Sequence, residues 1–305
     1  MGTMQPIKNV AILGADGKLG PAVLEALVSA SFTVTVLKRQ SSKSSDEHYP
    51  PSVKVARVPD DLNVESLVTT LQGHDALVIT IKGSQTEVQK KLADAAVQAG
   101  VRRMIPADFG SCDSSTAEAQ ELVPLFKHKA DLRQYLQTLA AQHKGFTWTS
   151  LVTGHFFDWS LPFIHIHLAE RRADVLDAGE HRCSMSTLAR IGEATVQVLR
   201  KPEVTENQML YVQSFCVSQN AIVKAFEKAT ANHKWTVEKY DADDFREREK
   251  ARASKGDAEA VEELVYYLGV VDGDWTKKKG FAMELLDLKD EDVGTVAKDV
   301  VARFS

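Results

Sequence analysis

Through its first half the chain alternates between short apolar, β-branched runs and segments whose apolar residues recur at helical spacing. Residues 9–13 form the first apolar run, and residues 18–29 follow with Leu19, Val23, Leu24 and Leu27 on one face. Residues 32–37, 53–58 and 76–80 are further candidate strands. Residues 64–71 and 87–99 are candidate helices, the second stopped at Gly100. Residues 103–106 and 146–152 supply two more strands, separated by a helix from about 124 to 142. Strands that are apolar almost throughout need cover on both faces, and intervening helices supply it through right-handed crossovers. The expected fold class is therefore α/β, a doubly wound parallel sheet.

The second half is less regular. An aromatic stretch at 156–163 precedes a helix at 187–200, a strand at 210–212, a helix at 218–229 and a strand at 235–240. A highly charged helical segment over 241–268 and a terminal helix over 292–304 complete it. The charge run at 241–250 reads as a solvated helix face. This pattern predicts a sheet domain over 1–153, with return elements near 187–213, and a smaller, interleaved α+β substrate lobe over 154–305.

Composition narrows the function classes. At 305 residues, 44% hydrophobic and 26% charged, the chain is long enough for about two domains with ordinary cores. A net charge of −5 with scattered basic residues argues against nucleic acid as a partner. Cys112, Cys183 and Cys216 are far apart and form no C-x-x-C pair, which points to a reducing compartment without disulfide or zinc. The apolar stretch 146–168 is interrupted by Asp158, Pro162 and three histidines, so no membrane span is expected, and the start leaves no room for a leader. A cytoplasmic protein is expected, with a homodimer left open.

Gly14-Ala-Asp-Gly17-Lys-Leu-Gly20 occupies the first strand-to-helix turn. Glycines there permit a tight turn and close approach of a pyrophosphate, and the helix N-terminus offers free N–H groups. The G-x-x-G-x-x-G spacing is similar to that of the short-chain dehydrogenase superfamily, which implies a Rossmann domain. Gly14, Asp16, Gly17, Lys18, Leu19 and Gly20 are the candidate cofactor residues of the turn. The Asp16 carboxylate would repel phosphate unless it turned away to cap the helix. No acid lies between Phe32 and Ser45 to hold a ribose hydroxyl. Arg39 can instead fork onto a 2′-phosphate, with Lys38 or Lys43 adding charge, so the expected cofactor is NADPH. Lys82 and Phe109 complete the cofactor set.

No tyrosine in the sequence has a lysine four residues on, so the superfamily's usual proton-transfer pair is missing. The helix beginning at Pro124 offers another proton donor. At about 100° per residue, Leu125, Phe126, Leu132, Leu136, Leu139 and Ala140 all fall within about 80° of Lys129. Lys127 points roughly 160° away, toward solvent. An inward lysine must be paired, snorkel or reach a cleft, and burial favours its neutral form. Lys129 is therefore either a general acid/base or a stem over the core whose ammonium reaches a carboxylate or water.

Residues Arg102-Arg-Met-Ile-Pro-Ala-Asp-Phe-Gly110 and Phe126-Lys-His-Lys129-Ala-Asp-Leu-Arg133 resemble the NmrA-like, isoflavone reductase and phenylcoumaran benzylic ether reductase family of atypical short-chain dehydrogenases. Gln89-Lys-Lys-Leu-Ala and Val36-Leu-Lys-Arg39-Gln-Ser41 extend the resemblance, which covers roughly residues 7–165. It implies that Lys129 is catalytic and that Arg39 serves NADP. Gly154-His-Phe-Phe-Asp-Trp159 is similar to fungal members, which often tailor secondary metabolites. Ala107 and Ser111 depart from the plant reductases and leave the substrate open.

His155, Phe156, Phe157 and Trp159 follow the sixth strand, at the carboxyl edge where open α/β sheets bind ligands, and would line a pocket for a flat apolar substrate. His165 and His167 lack a third ligand, so no metal is expected. The resulting expectation is an NADPH-dependent reductase passing a hydride to a small aromatic substrate, with Lys129 as general acid/base. The alternative is a redox-sensing regulator that binds the dinucleotide without turnover.

Overall fold

A computed structural model of the protein describes residues 5–304. The chain divides into two compact units. One comprises the residues up to Asp108, Lys127–Leu151 and Ile191–Leu210; the other comprises Phe109–Phe126, Val152–Arg190 and the residues from Tyr211 on. The sequence placed residues 109–126 in the sheet domain, whereas the structure groups them with the second unit.

In the first unit β1 (Asn9–Leu13), α1 (Gly20–Ser29), β2 (Thr33–Arg39), β3 (Lys54–Val58), α2 (Val64–Leu71), β4 (Ala76–Ile79), α3 (Thr86–Ala99) and β5 (Arg103–Ile105) follow one another. In the second unit α4 (Ala117–Leu122) precedes α5 (Pro124–Gln142), which carries the chain back to the first and to β6 (Thr147–Val152). The sheet order is β3-β2-β1-β4-β5-β6 followed by β11 (Gln208–Tyr211), and the pairs from β3 to β6 are parallel. Sheet order reverses at β1, where successive strands step first to one side and then, with β4, to the other. Such a switch point leaves an open crevice at the carboxyl ends of β1 and β4.

β1 and β4 are buried almost throughout, as strands covered on both faces must be. Leu67, Leu71, Leu92, Ala96, Leu132 and Leu136 pack against the sheet residues Leu37, Leu77 and Met104 in a single core. The return helix α6 (Leu188–Arg200) closes on α1 at Gly192, where an added Cβ would lie 2.7 Å from the Ala22 carbonyl oxygen.

The second unit holds most of what the sequence left unread. β7 (His155–Phe156), β10 (Arg182–Ser186) and β12 (Phe215–Ser218) make one small sheet; β8 (Ile166–His167), β9 (Arg172–Leu176) and β13 (Thr236–Tyr240) make another. Helices α8 (Gln219–Ala229) and α11 (Val293–Phe304) pack together, and a short α7 (Pro202–Thr205) lies in the first unit. The expected charged helix over 241–268 is two helices, α9 (Ala242–Ala253) and α10 (Ala258–Val271). They break at Gly256, with a φ of 88°, and Asp257 caps the second by accepting from the Glu259 and Ala260 N–H groups. Phe245 and the Leu264–Val270 stretch are mostly buried, so this segment forms core on one face.

Candidate active site

The glycine turn is built by close backbone contact. The Gly17 N–H donates to the Gly14 carbonyl at 2.9 Å, and Gly14 has a φ of 100°. A Cβ at Gly14 would lie 2.8 Å from the Thr80 carbonyl carbon, and one at Gly20 would lie 2.2 Å from the Gly14 oxygen. Any side chain at either position would force the turn away from β4 or from the start of α1. A cavity of about 230 Å³ opens against this turn, lined by Gly14, Asp16, Gly17, Lys38, Arg39 and Ser42 together with Asp60, Asp61, Leu62 and Gln85. The last four were not singled out in the sequence, although an acid-acid-aliphatic run directly after a strand at this edge is a readable signal.

Asp16 and Lys38 line the cavity, but their side chains also make contacts within the protein. Asp16 does not cap α1: the cap position is Leu19, and no side chain bonds there. Asp16 instead accepts from Ser44, Tyr49 and His48 and pairs with Lys38 at 3.2 Å. Lys38 is buried, donates to Asp46 at 2.7 Å and to the Ser44 and Ser45 carbonyls, and so spends its charge inside the protein. A β2 interior covered on both faces cannot hold an ammonium without acids. Arg39, at the strand's exposed end, makes no side-chain hydrogen bond or ion pair among the described residues. It is the exposed cation of β2 at the cavity, with Asp60 as the acid its charge acts on. Lys18 and Lys82 are exposed; Leu19 is buried at the base of the turn, where only its backbone could meet a ligand. Phe109 is buried and has a φ of 40°, a strained backbone of the kind that clusters at functional sites.

Lys129 lies where the helical angles put it. On α5 it is 7% exposed, whereas Lys127 is exposed and pairs with Asp131. Of the two readings, the one that takes the ammonium to a carboxylate matches its surroundings, because the ammonium reaches Asp108. Its Nζ donates to the Asp108 main-chain oxygen and stands 3.6 Å from the carboxylate. Arg133, one turn along, donates to the same carboxylate at 2.6 Å, and the Ser150 hydroxyl donates to it from β6. Burial alone would raise the Asp108 carboxyl. The Arg133 and Lys129 charges outweigh it and, with the Ser150 hydrogen bond, hold the group below the usual carboxylate range. Ser150 was invisible in the sequence, since nothing local marks which hydroxyl of a buried strand faces the acid.

The aromatic run divides. Phe157 is fully buried between Phe215 and Phe226 and belongs to the core of the second unit, not to a pocket wall. His155 is likewise buried, with Nε2 3.3 Å from the Tyr266 carbonyl and its ring against Phe163 and Tyr266. A Cβ at Gly269 would come within 2.1 Å of that Nε2, so the helix is shaped around the ring. Phe156, Trp159 and Phe163 are partly exposed and touch in series, with centroids 6.3 and 5.8 Å apart. His165 and His167 are occupied by Glu263 and Asp174, at 2.8 and 3.0 Å. Among the described residues no group of acids, histidines and cysteines is arranged to hold a metal. No helix among them is long and apolar enough to cross a membrane.

The burial of His155 has a consequence in solution. Burial disfavours the imidazolium and pushes the folded pKa down to about 4. The unfolded chain takes up that proton near pH 6.5, so stability is full above about 6.5 and is lost as the pH falls toward 4. Between pH 6.5 and about 5 the loss is about 2 kcal/mol. His155→Gln, which cannot titrate, is expected to lose this part of the acid dependence of unfolding. An unaltered free-energy difference between the two pH values would mean that the imidazole meets water.

Comparison with known proteins agrees with this architecture. The profile of the NmrA-like family matches residues 6–254. Oxidoreductase aprR of Aspergillus flavus is 33% identical over 299 residues, covering 96% of this chain and 98% of that protein. Oxidoreductase poxI of Penicillium oxalicum is 29% identical over 254 residues, 82% of this chain and 79% of its own. Among solved structures, the binary complex of leucoanthocyanidin reductase and NADPH from Vitis vinifera has a TM-score of 0.78 at 16% identity, covering 96% of this chain and 99% of that one. A structure described as AtPrR2 with NADP+ and (+)pinoresinol gives 0.76 at 18% identity, over 98% and 100%. The glycine turn, the reversed sheet order and a family profile spanning most of the sequence lead to one conclusion: the chain belongs to the NmrA-like family.

Proposed function

We propose that the protein is an NADPH-dependent oxidoreductase that reduces a small aromatic substrate, with Lys129 as general acid. The observation that carries this reading is the position of the Lys129–Asp108 pair. Asp108 follows β5 at the carboxyl edge of the sheet, the edge from which the glycine turn leaves β1. β4 alone separates β1 from β5, so the two features stand about two strand spacings apart, roughly 10 Å. That separation suits a dinucleotide with its pyrophosphate on the turn and its reactive ring near the lysine.

The residues present fit NADPH. The cradle at Gly14 and Gly20 has no room for a Cβ, and the exposed Arg39 guanidinium suits a 2′-phosphate. The oxidoreductase names of the relatives and the NADP(H) in the structural neighbours support the same choice. When bound, this cofactor supplies a hydride from its nicotinamide ring. Lys129, held by the main chain and carboxylate of Asp108, donates a proton to the substrate atom that gains negative charge. Arg133 and Ser150 keep the carboxylate in place beneath it. An aromatic substrate is supported by the partly exposed faces of Phe156, Trp159 and Phe163 and by the pinoresinol of one structural neighbour.

Binding of NADPH and NADH to the wild-type protein and to Arg39→Ala tests the cofactor. The variant is expected to bind NADPH roughly 10- to 100-fold more weakly, the scale of a charge-assisted fork, with NADH changed little. Wild-type protein that binds NADH as tightly as NADPH would overturn the assignment. Consumption of NADPH across a panel of aromatic enones, quinone methides and benzylic ethers tests the reaction; tight binding with no consumption would leave a dinucleotide-responsive regulator.

A further inference from the structure

The acid in the glycine turn does more than avoid the phosphates. Asp16 receives the Ser44 hydroxyl at 2.5 Å, the Tyr49 hydroxyl and the His48 ring at 3.1 Å, and it pairs with the buried Lys38. Three of these four partners come from the loop that follows β2. The near end of the same loop is tied down separately: the Ser41 N–H donates to Asp60 at 3.2 Å and the Ser41 hydroxyl at 2.5 Å. Lys38 adds a third tie, from its ammonium to the Ser44 and Ser45 carbonyls and to Asp46, which also accepts from Arg57 at 2.6 Å. Between these ties lie Ser42 and Lys43, three and four residues after Arg39, and Arg39 and Ser42 line the cavity. Burial alone would raise the Asp16 carboxyl, but the Ser44, Tyr49 and Lys38 hydrogen bonds hold it below the usual range, so it is ionised at neutral pH.

We propose that Asp16 is a specificity-determining positioning residue, a latch that fixes the 40–49 loop on the glycine turn and so presets Arg39, Ser42 and Lys43 for the 2′-phosphate. This rests on the NADPH reading above. An unlatched loop would have to order itself on each binding event, and the part of the ligand facing that loop would bear the loss. NADH presents only a neutral hydroxyl where NADPH carries the phosphate, so the latch acts mainly on the ratio of the two affinities. Electrostatics alone predicts the reverse, because deleting a carboxylate near phosphates removes repulsion and should tighten both cofactors, NADPH most.

Three measurements separate these accounts: dissociation constants for NADPH and NADH, and amide hydrogen exchange over residues 41–49 without cofactor. In Asp16→Asn the exchange is expected to accelerate and NADPH to weaken about 10-fold, with NADH within about threefold, as the loss of charged hydrogen bonds to one loop implies. Tyr49→Phe keeps the carboxylate and the glycine turn and removes one tie, so NADPH is expected to weaken about threefold with NADH unmoved. Tighter NADPH in Asp16→Asn would show that repulsion governs and would overturn the proposal. Equal weakening of both cofactors in Asp16→Asn, or an unchanged affinity ratio in Tyr49→Phe, would do so as well. Wild-type protein without preference for NADPH would sink the cofactor reading first, while the exchange data would still report whether the latch exists.

Discussion

Lys129→Ala is expected to lower kcat by about 100- to 10,000-fold, the usual contribution of a positioned general acid, while NADPH binds within about threefold of wild type. The expected loss is large because no other donor is arranged to take the role. No tyrosine stands four residues before a lysine, and His155, the imidazole of the aromatic run, is buried. The fold should survive the change, since Asp108 retains the 2.6 Å bond from Arg133 and the Ser150 hydroxyl. Lys129→Arg keeps a charge but cannot release a proton near neutral pH, so it too should be slow. NADPH titration and single-turnover rates in the same preparation check both points. Full turnover in Lys129→Ala with normal cofactor binding would remove the lysine from the mechanism.

The second large effect concerns stability. Arg103 on β5 is 1% exposed, and its guanidinium is solvated entirely by neutral groups. It donates to the Thr147 and Thr149 hydroxyls at 2.8 Å, to the Thr205 hydroxyl at 2.9 Å and to the Pro202 carbonyl at 2.6 Å. Burial pushes its pKa down to about 10, with Glu206 and Glu203 countering only at longer range. The guanidinium thus ties α7, on the return segment, to β5 and β6 within the first unit. Arg103→Ala leaves three hydroxyls and a carbonyl buried without this donor and opens a cavity, so a loss of about 3–5 kcal/mol in unfolding free energy is expected. Arg103→Met, which fills the volume without the donors, should recover little. Urea unfolding checks both; a loss below about 1 kcal/mol would mean that water readily replaces the guanidinium.

Particular residues show what could be read in advance. Lys129 was legible because helical periodicity is local: the angle between two residues on one helix depends only on their separation in sequence. Gly14 and Gly20 were legible because the turn between a buried strand and its crossover helix has few solutions. Lys38 was misread. Its basic neighbours suggested a phosphate ligand, yet it occupies a strand position covered on both faces and pairs with Asp46 and Asp16. His155 and Phe157 were misread for a related reason. Aromatic residues after a strand at the carboxyl edge can face a ligand or a neighbouring sheet, and local pattern does not distinguish the two. In the second unit the strand over 235–240 was recognised as β13, but the others, of two to five residues, carry too little periodicity.

From the sequence alone came the alternation of strand and helix, the glycine turn, the inward lysine and the arginine at the end of β2, each set by spacing along a single element. The tertiary structure decided which charges meet: Lys129 with Asp108, Lys38 with Asp16 and Asp46, Arg103 with three threonine hydroxyls. Those pairings depend on strand order and loop path, which bring together residues far apart in the chain. A buried charge takes whichever partner the fold carries to it.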